Sequence, residues 1–386
     1  MAAVYSFHTD LAQKIVERTM DIIHCNVNIM DATGRIIASG DQARIGSTHD
    51  GALLALSQGQ PVDIDEHTKH LRGVKPGINL PLRLDGEIVG VIGLTGDPLH
   101  LKEFGKLVCM TAEMMLEQAR LFEMLAQDAR LKEELILNLI AAEEITPAMT
   151  EWASRLGVDL SVPRVVCIIE VDTGHLSIDA ISNELHNLQN LLNYPERDNL
   201  VAILSLTQIV ILKPALNSYG DWDVQNHLER VHLLVSRMNK QTSLNVRIAL
   251  GNYFAEDDNQ GNAIALSYQT AQTTLEVGKT RFPEQRIYNY QELILPVLLN
   301  QLKDGWQRRE LERALNKLKQ ADKNGVLTRT LLAWFGHNMH AAATAQALFI
   351  HRNTLEYRLN KISELTRLNL NQTDDRFLLY IAIHMI

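Results

Sequence analysis

Arg352, Arg358 and Lys361 fall within fifteen residues, "LFIHRNTLEYRLNKI" (348–362), in a chain of formal net charge −9. Cations set among Asn353, Thr354 and Tyr357 are suited to nucleic acid: an Arg fork can hold a guanine edge, and Lys or Tyr can hold a phosphate oxygen. Asn353 has a second employment open to it, as a helix cap. A different chemistry is offered upstream, where "ARIGSTHDGA" supplies Arg44 and His49. An Arg fork pairs bidentately with a carboxylate, so these two suit a small organic anion. The plain alternatives are a surface arginine and a cap or core histidine.

The first set needs a short helix to present it. Asn353-Thr354-Leu355-Glu356 has the form of an N-cap with an acid three residues on, which predicts a helix starting at Thr354. Leu355, Leu359 and Ile362 then form one apolar stripe, leaving the polar side chains on the opposite side. "AAATAQALF" predicts a small-residue helix just upstream, and two short helices across a tight turn make a helix-turn-helix, spanning about 341–366. Charge agrees: residues 301–386 hold 13 Lys plus Arg against 8 Asp plus Glu, a net +5, leaving −14 for residues 1–300. A basic end on an acidic body points the end alone at a polyanion.

The second set sits between two hairpin patterns. "NVNIMDATGRIIAS" reads as strands around a turn at Asp31 to Gly34, and "INLPLRLDGEIVGVIGLTG" turns at Asp85-Gly86. Gly90 and Gly93 interrupt the returning strand, as where a ligand or another backbone approaches closely. From Pro98 to Glu144 a helical stripe runs through Leu107, Met110, Met114, Leu121, Leu125, Leu131, Leu135 and Leu139. Glu117 and Asp128 spoil a strict heptad, so the helix either packs on its own domain or serves as a dimerising connector. Residues 150–295 then follow a β-α-β-β-α-β order, which is ferredoxin-like.

Several groups look chemical and carry little. "VGKT" (277–280) has Thr273 where a phosphate loop needs Gly, and it ends a helical pattern, so Gly278 reads as a helix C-cap. His67 and His70 read as a solvated face, and Cys25, Cys109 and Cys167 as reduced, buried thiols. The apolar runs stop well short of the roughly 18 residues that a membrane span needs. The expectation is a cytoplasmic protein with no cofactor, no metal and no membrane.

Three stretches carry resemblances. "TLLAWFGHN", "TAQALFIHRNTLEYRLNKISELTRLNL" and "DRFLLYIAI" resemble the C-terminal helix-turn-helix of purine-catabolism-regulator type, over about residues 327–384. "DATGRIIASGDQARIG", "HDGA" and "GINLPL…GEIVGVIGLTGDP" resemble the sugar-diacid recognition domain, and the whole order is similar to the carbohydrate diacid regulators. The central pattern resembles a degenerate diguanylate-cyclase fold, with Ser205-Leu206-Thr207 where the catalytic turn would stand and Asp172 without a second acid.

These resemblances imply an α+β multidomain activator in four parts. They are a PAS/GAF-like sensor (1–97), a connector helix (98–145), a non-catalytic cyclase-like domain (146–296) and an all-α DNA-binding domain (297–386). The effector they imply is glucarate, galactarate or glycerate, with Arg44 and His49 as anchors and Asn79 and Thr95 as polar contacts. Promoter DNA, a second copy of the chain and RNA polymerase are the implied macromolecular partners. The rival reading is a nucleotide cyclase built on the central domain, dependent on Asp172.

Overall fold

The computed structural model describes residues 9–385 except 66–67, 69–70, 173, 175–176, 193–197, 242–244, 256–260 and 303–304. The His67/His70 pair lies outside the described residues. The chain forms two compact units, Met1–Ala129 and Arg130–Ile386.

The first unit contains α1 (Thr9–Ile23), β1 (Val27–Asp31), β2 (Ile36–Ser39), α2 (Asp50–Gln58), β3 (Val62–Ile64), β4 (Gly77–Leu84), β5 (Glu87–Thr95) and the start of α3 (Pro98–Ala141). The strands form one antiparallel sheet in the order β2-β1-β5-β4-β3. Both hairpins form at the expected turns. At the second, Asp85 and Gly86 take φ of 51° and 83°, the left-handed pair that a two-residue hairpin needs. Ile29, Ile78, Leu80, Leu82 and Ile92 pack on one face with Ala12 and Ile15 of α1 and Ala112 and Leu116 of α3. Met30, Val91 and Ile64 pack on the other with Ala52 and Ala55 of α2. The sheet therefore separates two cores, and the second is the smaller.

The second unit opens with the remainder of α3 and α4 (Pro147–Arg155). There follow β6 (Arg164–Asp172), α5 (Ile178–Leu192), β7 (Leu200–Ser205), β8 (Gln208–Pro214), α6 (Val224–Gln241), β9 (Asn245–Leu250), α7 (Ala263–Arg281) and β10 (Ile287–Asn289). The sheet order β10-β9-β6-β8-β7 contains the expected ferredoxin-like arrangement, with β10 added parallel to β9 at the edge. Gly278 is not the C-cap; that position belongs to Phe282. Gly278 is buried inside α7, where a Cβ would lie 2.4 Å from the ring of Tyr288, so the glycine is there for close packing. Both ends of α7 are tied. Asn262 caps it, accepting from the Ile264 and Ala265 amides (3.0 and 3.2 Å) while donating to the Leu139 and Ala142 carbonyls (2.6 and 3.0 Å). At the far end the Arg281 guanidinium donates to the His384 carbonyl.

The chain continues through α8 (Ile294–Asn300), α9 (Trp306–Ala321), α10 (Val326–Gly336), α11 (Ala341–Ala347), α12 (Arg352–Thr366) and α13 (Thr373–His384). Leu315, Leu318, Leu331, Trp334, Ile362, Leu370 and Leu379 form the core of this helical part. The three cysteines are free thiols, Cys167 buried and the other two half-buried. Burial pushes the Cys109 thiol up to about 12 and the Cys167 thiol to about 11, which keeps both protonated. No helix among the described residues is long and apolar enough to cross a membrane.

Candidate ligand pocket and nucleic-acid interface

Strand register builds the first site. Asn28 of β1 faces Gly93 of β5, and Gly93 faces Asn79 of β4, so the two amides flank a glycine across three strands. Two residues along, Gly77 faces Thr95, and the period of two puts these residues on the same side of the sheet. Small residues leave room for the Asn79 side chain: a Cβ on Gly93 would stand 2.9 Å from its Oδ1, and one on Gly51 would stand 2.8 Å from its Nδ2.

Over this face lie a 3-10 turn, Gln42–Arg44, and the start of α2. Arg44, His49, Asn79 and Thr95, separated by up to 51 positions in sequence, line one pocket with Asn28, Lys75, Gly77, Gly93 and Leu94. Asn28 and Lys75 were not foreseen. Neither belongs to a motif; what brings Asn28 in is cross-strand register, which periodicity does not reveal.

The electrostatics favour an anion. Arg44 donates one Nη to the Gly73 carbonyl, while its Nη1 is buried without a hydrogen-bond partner. Lys75 stands 3.9 Å from Asp41, a loose pairing. Asn79 is 3 % exposed, and its Oδ1 also lacks a partner. His49 is the N-cap of α2, its Nδ1 accepting from the Ala52 amide at 3.2 Å. Burial, and then the Arg44 charge, lower the His49 pKa to about 4, so it is neutral near pH 7. Unused donors on a cation and an unused acceptor on an amide are together what a hydroxylated acid would satisfy: carboxylate oxygen to Arg44, hydroxyl hydrogen to Asn79. The cavity itself is only about 10 Å³, room for about one water.

The second site is carried by α11 and α12. Leu355 and Ile362 are buried and Leu359 is packed against the same domain, so the expected stripe faces inward. The helix starts earlier than expected, at Arg352 instead of Thr354, because His351 is the N-cap and its Nδ1 accepts from the Asn353 amide at 3.3 Å. Asn353 is therefore helical and exposed, not a cap. Arg352, Thr354 and Tyr357 are exposed with it.

Two of the expected readers are placed differently. Arg358 is half-buried and donates to Thr330 Oγ1 of α10 at 3.2 Å, which gives it a partner inside the domain. Lys361 reaches Glu364 Oε2 at 2.8 Å, and that carboxylate holds its ammonium above the ordinary range. One residue of the quoted stretch was not among the expected readers: Phe349, in the turn before α12, is 95 % exposed with φ of 52°. A left-handed backbone and a solvated ring are both unfavourable for Phe.

Asp172 is exposed and accepts from the Gly174 amide at 3.2 Å, and the described residues contain no group of three or more His, Cys, Asp or Glu arranged to hold a metal.

Comparison with known proteins adds the following. Family models match for sugar diacid recognition over residues 7–139, a GGDEF-like domain over 142–277 and the PucR C-terminal helix-turn-helix domain over 327–385. The chain is 61 % identical over 384 residues to the carbohydrate diacid regulator of Escherichia coli strain K12, covering 99 % of each. It is 21 % identical over 267 residues to the proline-responsive transcriptional activator PutR of Bacillus subtilis strain 168, covering 68 % of this chain and 64 % of that one. Among solved structures, a regulator of polyketide synthase expression from Bifidobacterium adolescentis matches at 16 % identity and a TM-score of 0.28, over 67 % of this chain and 97 % of that chain.

Proposed function

The chain belongs to the carbohydrate diacid regulators, and from that membership we propose that it is an activator whose N-terminal unit senses glucarate, galactarate or glycerate while its C-terminal helix-turn-helix holds promoter DNA. One observation carries the sensing part: Arg44, His49, Asn79 and Thr95 converge on a single pocket where Arg44 Nη1 and Asn79 Oδ1 are buried and unpaired. Lys75 supplies a second cation for a second carboxylate, and Asn28 a further polar contact.

The strand order 2-1-5-4-3, with α2 and the pocket on one face, supports a PAS/GAF-like reading of the sensor. The working division is sensor 1–97, connector 98–145, cyclase-like domain 146–296 and DNA-binding domain 297–386. A six-carbon diacid is far larger than the 10 Å³ cavity, so binding selects a form in which Arg44 and its turn have moved outward. The observed affinity then includes the population of that open form. Arg352, Asn353, Thr354 and Tyr357 form the face offered to DNA, with Arg358 positioning α12 against α10 and Lys361 released from Glu364 to meet phosphate. The regulator acts in the cytoplasm, as a homodimer, in reach of RNA polymerase.

The decisive experiment is calorimetric titration with the three acids and with unrelated acids, with promoter footprinting in parallel. At least one of the three should raise the melting temperature and alter the footprint. Arg44→Ala should weaken that acid by about 2–5 kcal/mol, the usual loss for truncating one side of a buried charged pair, with DNA binding of the ligand-free protein unchanged. If none of the acids changes either readout, the sensing assignment fails.

A further inference from the structure

The sheet-facing side of α3 is well satisfied in the first unit: Ala112 and Leu116 are buried, Glu113 accepts from the Arg83 amide at 2.8 Å, and Arg120 pairs with Asp85. The opposite side is not. Leu107, Met110, Met114, Leu121, Met124 and Leu125 are each more than half exposed, and all ten residues of 121–130 are exposed. The positions 107, 110, 114, 117, 121, 124 and 128 advance by alternate steps of three and four, which is the spacing of a helix-to-helix seam. Glu117 and Asp128 occupy two of these positions, so they belong to the seam and do not interrupt its period.

We propose that a second copy of this chain covers this stripe, pairing α3 with α3 in a parallel, in-register seam centred on Met114, Glu117 and Leu121. The occupant is argued from shape. A helix exposed on every side over 121–130 offers no groove walls to hold a peptide or loop, whereas a 3-4 stripe is self-complementary. The six large side chains present on the order of 600 Å² per protomer, close to the roughly 800 Å² that each partner brings to a standard interface. Parallel pairing sends both chains out of the seam at the same end. Adjacent half-sites on DNA are well served by that, and in this respect the inference rests on the proposed DNA-binding function. The Glu117 layer sets two carboxylates against each other and keeps the pairing weak; Met110, Met114 and Met124 give the seam soft, adaptable packing.

The test is sedimentation equilibrium of the full chain without DNA. Wild type should be a dimer, Met114→Asp with Leu121→Asp should raise the dimer dissociation constant on the order of 100-fold, and Glu117→Leu should lower it about 10-fold. Both Asp substitutions fall on side chains exposed in the protomer, so an unchanged melting temperature at dilutions where wild type is also monomeric certifies the fold. Leu121→Cys should cross-link to itself under mild oxidation in a parallel seam. A monomeric wild type, a dimer indifferent to the Asp pair or to Glu117→Leu, or a dimer without the 121–121 cross-link overturns the proposal. Promoter binding measured separately tells a failed seam from a failed regulator, since the seam is read with no DNA present.

Discussion

His49 shows how one side chain can serve structure and a site at once. Its imidazole accepts from the Ala52 amide to start α2 while lining the pocket. It is held neutral, with a folded pKa of about 4 against an ordinary 6.5. The unfolded chain therefore takes up a proton at His49 below pH 6.5 that the folded chain refuses until about pH 4. Stability is lost as pH falls across that window. His49→Asn keeps a good cap and removes the titration, so urea unfolding at pH 7 and pH 5 should show a smaller pH effect in the variant. His227, also depressed to about 4 by burial, stays in both proteins and cancels. Phe349 gives a second residue-level expectation. Phe349→Gly removes a left-handed Phe and should stabilise the chain by about 1 kcal/mol, read as a raised melting temperature. If the exposed ring touches DNA, the same variant binds promoter less tightly.

At the level of elements, hairpins and stripes were written plainly in the sequence, because Asp85-Gly86 and the Leu355-Leu359-Ile362 spacing each dictate one geometry. Caps were less plain. Asn353 and His351 compete to start α12, and the imidazole takes the position two residues earlier, although residue type alone ranks Asn well above His as a cap. Gly278 was misleading for a related reason: a glycine near a helix end signals a cap unless a distant ring, here Tyr288, needs the space. Gly278→Ala should therefore cost about 3 kcal/mol by overpacking, measured by urea unfolding, where a true C-cap position outside the core would give a far smaller loss. Of the candidate pocket, the Arg and His were visible as chemistry, while Asn28 and Lys75 become neighbours only after three strands have paired and a loop has returned.

For the molecule as a whole, opposite charge on the two parts of the sequence sets an expectation for DNA affinity. Residues 1–300 carry −14 and residues 301–386 carry +5, so binding leans on a few well-placed cations instead of a broad basic surface. Arg352→Ala should reduce the slope of log affinity against log salt by about 0.9, the value for one phosphate contact. Titrations of wild type and variant over a range of salt check this, and an unchanged slope would move Arg352 from phosphate to base or to neither.

The fastening of α7 gives the second unit a mechanical property. A rod of 19 residues, about 28 Å long, is pinned at its start by one amide that also grips the tail of α3, and at its finish by one guanidinium that grips the last turn of α13. Sliding or swivelling it would break the hydrogen bonds at one end or the other. Within this unit the tail of α3 at Leu139 and the last turn of α13 at His384 are thus joined through α7, which stands between them as a strut in the engineering sense, with a joint at each end.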